Sequence, residues 1–208
     1  MLNIGIHSIF TFIFTVLLIN TFDRFDDNVN IAMTKRDMIG VAIVSLFSSF
    51  LISEHFSSSI VNYLIISIMS SLIIMMAYTD LKTMEVYGII NFINLGLAII
   101  YFIYNIENFN LLITNELQLK MILVCIAILL VLFFTQGVGL GDTILYAALM
   151  LIYLVSSVYG CLFIILNILI SNTLFLILNS FKFIKNKKQK LPLIPYILVS
   201  WLLLMVTI

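Results

Sequence analysis

Two aspartates stand out in a chain that otherwise avoids charge. Asp80 lies in Ala77-Tyr78-Thr79-Asp80-Leu81-Lys82, at the end of one apolar run. Asp142 closes Gly137-Val138-Gly139-Leu140-Gly141-Asp142, just before another. Carboxylic acids are costly beside lipid, so each needs a reason. Two carboxyls that meet in a low dielectric do not both ionise cheaply. One keeps its proton, and the pair can serve as general acid and general base at once. Such a pair activates a water for attack on a peptide carbonyl. Glycines at 137, 139 and 141 would let the backbone approach a neighbour closely and adopt positive φ. An acid at a helix start is also favoured by the dipole. The plainer alternative makes Asp142 a helix cap after a glycine turn, and Asp80 a boundary residue paired with Lys82. The chemistry requires the two side chains to meet, and that depends on the elements that carry them.

Those elements are membrane spans. Of 208 residues, 63% are hydrophobic and 10% are charged, where an average globular chain is about a quarter charged. The mean hydropathy is +1.22, and a chain of this kind hides its apolar area in lipid. Net charge is zero, which gives no reason to expect a nucleic-acid partner. Apolar runs at 2–22, 38–52, 60–79, 86–106 and 119–136 predict five spans, the second short and extended only by serines. Residues 143–181 carry no charge. At about 1.5 Å per residue they reach roughly 58 Å, or two crossings, with the turn at Ser156, Ser157 and Gly160. Pro192 opens an eighth span that runs to Ile208.

The positive-inside rule orients this count. With the N-terminus outside, the inner segments 23–37, 80–88, 137–142 and 182–190 hold nine of the ten basic residues, and only Lys120 falls outside. The expected fold is all-α, a polytopic helical bundle of about eight transmembrane helices with both termini outside. It forms a single membrane domain over 1–208, with a short cytoplasmic loop at 23–37 and a retained first span. Both aspartates then sit at the cytoplasmic ends of their spans.

Three further features accompany the aspartates in order. Leu81-Lys82 follows the first, Leu145-Tyr146-Ala147-Ala148-Leu149 follows the second, and Pro192-Leu193-Ile194-Pro195-Tyr196 enters the last span. The chain's two prolines both fall in that last segment. Together these resemble the GxGD membrane aspartic peptidases, and within them the type IV prepilin peptidase (leader peptidase) family, over residues 60–208. The resemblance implies a peptidase core at 60–208, with Asp80 and Asp142 catalytic and Gly137, Gly139, Gly141, Lys82, Pro192 and Pro195 supporting. It implies an endopeptidase of the bacterial cell membrane, with its active site facing the cytoplasm. Such an enzyme removes the short basic leader of prepilin-like or competence pseudopilin precursors, so the expected partners are that precursor and the lipid bilayer.

The chain departs from the family at Tyr87, where a proline is common, and at Ile144, where a lysine is common. Its first cytoplasmic loop is short and lacks the paired cysteines that bind zinc in longer members. No cofactor is expected, since the reduced loop counts against zinc and against S-adenosylmethionine-dependent methylation. Cys125 and Cys161 lie in apolar runs as packing residues. The mixed charges of 23–37 suit a solvated loop or docking of a basic leader. The lysines at 182, 185, 187, 188 and 190 set topology and suit anionic headgroups. Two rivals follow from the same residues: a presenilin or signal-peptide-peptidase-like protease, and a non-catalytic paralogue that keeps the helices.

Overall fold

Lipid forces an apolar backbone to satisfy its own hydrogen bonds, and a helix does so within one segment. A computed structural model describes residues 2–25, 32–55, 59–84, 87–107, 116–135, 139–157, 159–185 and 191–206. They form α1 (Leu2–Phe25), α2 (Lys35–His55), α3 (Ile60–Thr83), α4 (Gly88–Tyr104), α5 (Glu116–Thr135), α6 (Leu140–Ser156), α7 (Gly160–Lys185) and α8 (Ile194–Met205). The described residues contain no strand. Eight helices thus stand where eight apolar spans are expected. Three segments, Lys35–His55, Ile60–Thr83 and Gly160–Ser180, are long and apolar enough to cross a membrane by length and composition, and four shorter helical segments are also apolar.

Several boundaries differ from the sequence reading. The inner loop expected at 23–37 is shorter, because α1 continues to Phe25 and α2 begins at Lys35. The start of α2 is a reciprocal cap: the Thr34 N–H donates to Asp37 Oδ2 at 2.9 Å, and the Asp37 N–H donates to Thr34 Oγ1 at 3.3 Å. This closes two N–H groups that a helix start leaves unpaired. The serines that make α2 a weak apolar run are not lipid-facing. Ser45, Ser48 and Ser49 are buried. Ser48 bonds to Ser70 of α3, and Ser49 donates to Thr11 of α1 at 3.2 Å. Small residues let membrane helices approach closely, so these positions serve packing.

The central helix is α3, buried at every position from Met69 to Asp80. The N-terminal helices α1 and α2 pack on each other and on α3. A second set closes on itself: α3 meets α4, α4 lies along α6, α6 meets α7, α7 meets α8, and α8 returns to α3. Helix α5 packs on α6 and α7. Ile73, Met76, Tyr146, Tyr153 and Trp201 fill the interior with almost no exposure.

Two contacts fix helix direction. Asn62 and Asn105 exchange amide hydrogen bonds at 3.0 and 2.9 Å, joining the start of α3 to the end of α4, so those helices are antiparallel. Tyr101 OH bonds to Ser156 Oγ at 3.3 Å, joining the ends of α4 and α6, which therefore run parallel. The turn after α6 forms at Ser156, Ser157 and Gly160, where the Gly160 N–H donates to the Ser157 carbonyl at 3.0 Å.

Candidate active site

Asp80 is not a boundary residue. Helix α3 continues one turn past it to Thr83, and its side chain is only 6% exposed. A charge ends an apolar run in the sequence, but it does not end a helix whose neighbours cover it. The neighbour here is the start of α8. The Ile194 N–H donates to Asp80 Oδ2 at 2.9 Å, and the Leu193 amide also bonds to this carboxyl. A helix N-terminus offers unpaired N–H groups and a favourable dipole to an acid. Prolines lack that N–H, so in Pro192-Leu193-Ile194-Pro195 the two donors are the residues between them. Pro192 is buried, and Pro195 sits in the first turn of α8. The proline segment thus grips Asp80 through its backbone.

Asp142 stands in the first turn of α6 and is partly exposed. The Gly139 backbone bonds to its carboxyl, which realises the capping alternative in part. Capping does not occupy it alone, because Asp142 also lies within electrostatic reach of Asp80. The fold therefore sets two acids, from α3 and α6, within electrostatic reach of each other.

The glycines act differently from the expectation of positive φ. Gly139 has φ −59° and ψ 149°, and no described glycine has positive φ. Their use is space. A Cβ on Gly141 would come within 2.8 Å of Asn91 Nδ2 on α4, and one on Gly139 within 3.0 Å of Asp142 Oδ2. Gly137 lies outside the described residues.

Lys82 pairs with neither acid of the site in the way the plainer alternative required. Its Nζ lies 2.9 Å from Asp37 Oδ2, and Tyr78 OH donates to the same oxygen at 3.3 Å. Lys82 thus ties the start of α2 to the end of α3. Tyr87, the first departure from the family pattern, caps α4 with φ −65°, the angle a proline ring imposes. Ile144 is half-buried one turn into α6. Among the described residues no three His, Cys, Asp or Glu side chains converge as a metal site would require.

Some groups beside these acids carry little signal in the sequence. The Leu193 and Ile194 amides are backbone donors, marked only by the prolines that flank them. Asn91 and Asn94 of α4 are buried, and their mark in the sequence is two carboxamides in an otherwise apolar run. Cys125 and Cys161 are free and buried, as packing residues are. The Cys125 thiol also lies 3.5 Å from the Cys161 carbonyl, tying α5 to α7.

The pattern of the type IV leader peptidase family matches residues 66–181. This is more than half of the chain, from the second turn of α3 to near the end of α7, and it includes both aspartates but stops before Pro192. No curated protein and no solved structure matches the chain. The chain belongs to the type IV leader peptidase family. It is accordingly a membrane protein of a peptidase family whose substrate is a protein.

Proposed function

We propose that this chain is a membrane aspartic endopeptidase with Asp80 and Asp142 as its catalytic pair. The observation that carries the reading is their convergence: the family match spans both, and the fold sets them within electrostatic reach. Two carboxyls at close range share one proton, because two like charges repel strongly in a low dielectric. One then takes a proton from water as the water attacks the scissile carbonyl. The other gives its proton to the carbonyl oxygen or to the leaving amine. The roles belong to the pair, since coupled acids titrate together. Two carboxyls and a water suffice for this hydrolysis.

The substrate in this reading is a prepilin-like or competence pseudopilin precursor. It has a short basic leader in the cytoplasm and an apolar helix in the membrane. The basic residues at 24, 35, 36, 82 and 182–190 support a cytoplasmic placement of the ends that bear Asp80 and Asp142, with both termini outside and eight crossings of the bacterial cell membrane. The ring of α3, α4, α6, α7 and α8 supports a peptidase core beginning at α3. Family membership favours this reading over the presenilin-like one.

The deciding experiment incubates membranes holding Asp80→Asn or Asp142→Asn with a pilin-like precursor. Each variant should abolish cleavage at the end of the leader. Cleavage at the wild-type rate by both would refute the reading, and a wild-type chain that binds precursor without cutting it would favour the non-catalytic alternative.

A further inference from the structure

Helix α4 carries two asparagines whose side chains have an unusual position. Asn91 and Asn94 are 1% and 0% exposed. They stand three residues apart, hence about 4.5 Å along the helix axis. Asn91 Oδ1 and both amide atoms of Asn94 have no hydrogen-bond partner among the described residues. Polar side chains between membrane helices ordinarily bond across the contact and hold it together. These do not, although α4 packs closely along α6. Buried polar atoms are normally paired, and each exception needs an explanation.

Their place supplies one. Asn91 lies against Gly141, the residue before Asp142, where a Cβ would come within 2.8 Å of its amide nitrogen and push that amide aside. Asn94 continues the stripe one turn deeper into the bundle. Helices α4 and α6 run parallel, so the seam between them opens at the turn that bears Asp142 and passes both asparagines. A carboxamide offers one acceptor and two donors, which suits a peptide backbone whose N–H and C=O groups are unpaired once it is extended for cleavage.

We propose that Asn91 and Asn94 bind the backbone of the substrate around its scissile bond, making the α4–α6 seam the substrate groove. This rests on the peptidase reading of Asp80 and Asp142. In the free protein α4 packs against α6, and Asn91 Oδ1 and both amide atoms of Asn94 lack partners among the described residues. In the complex a stretch of extended substrate lies between the helices and pairs with them.

The test uses the full chain in lipid vesicles and a synthetic precursor that spans the leader and the first apolar turns. Asn94→Leu keeps the branched four-atom side-chain skeleton and removes the polar atoms. It should raise KM about fivefold, the equivalent of one neutral hydrogen bond, with kcat within twofold and the melting temperature unchanged or higher. Asn91→Leu should behave alike. Unchanged KM in both variants would overturn the proposal. So would a rise in KM that tracks a fall in melting temperature, which marks general loosening. Asp142→Asn is run beside them. If it cleaves normally the peptidase reading fails, whereas lost cleavage there with normal KM in the asparagine variants defeats only this inference. Should leucine prevent folding, Asn94→Ala in the Asp142→Asn background decides by precursor binding: about fivefold weaker supports the groove, equal binding refutes it.

Discussion

Asp80 has two separable duties in this structure, and substitution can part them. Its carboxyl accepts from the Ile194 amide at 2.9 Å and from the Leu193 amide. Asp80→Asn keeps an acceptor oxygen of nearly the same position but removes the acid. Asp80→Leu removes the acceptor as well. Both lack charge, so their difference isolates the two backbone bonds. Each such bond contributes about 1 kcal/mol, rising toward about 3 kcal/mol where the donor is left buried and unsatisfied. Asp80→Leu should therefore be about 2 kcal/mol or more less stable than Asp80→Asn. For a chain of this size that corresponds to roughly 4–8 °C in melting temperature. The two cysteines offer the assay. Both are free and buried, so a thiol-reactive fluorophore reports unfolding in detergent without further engineering. Both variants should be inactive. Melting temperatures of both variants equal to that of the wild type would refute the grip of the proline segment on Asp80. A loss of stability in Asp80→Asn as large as that in Asp80→Leu would show that the bound species is the charge and not the oxygen.

Gly160→Ala should cost about 2 kcal/mol by the same melting assay. A Cβ there would lie 2.2 Å from the Tyr153 carbonyl, a backbone atom that cannot step aside, and forced overpacking has about this cost. Met84→Gly should stabilise by about 1 kcal/mol. Met84 ends α3 with φ 57°, a left-handed angle that glycine adopts without penalty. Lys82→Met should leave cleavage within a few-fold of wild type and change the melting temperature little. Its partner Asp37 is only partly covered and keeps its bonds to Thr34 and Tyr78, and ion pairs of this exposure contribute little. A loss of cleavage as complete as that in Asp142→Asn would instead place Lys82 in the chemistry.

The order and number of the helices were legible in the residues, because lipid admits only long apolar segments and each charged or glycine-rich stretch interrupts them. The turn at Ser156, Ser157 and Gly160 was legible for the same reason. The GxGD segment and the two prolines marked where to look for a site. Helix ends were less legible. Asp80 and Asp37 lie inside helices because neighbouring elements bind them, and an apolar-run criterion stops at any charge. The partners of these groups could not be read at all. Asp80 finds its Ile194 donor 114 residues away, on a backbone amide that no side chain announces. Lys82 has Asp80 nearest in sequence, yet tertiary packing gives it Asp37. Ser48 and Ser49 read as weak membrane residues until α1 and α3 supply their partners. Residue types set which chemistry the chain can perform. Only the closed ring of helices decides which of those residues meet, because long-range pairing depends on how helices pack and not on the spacing along any one of them.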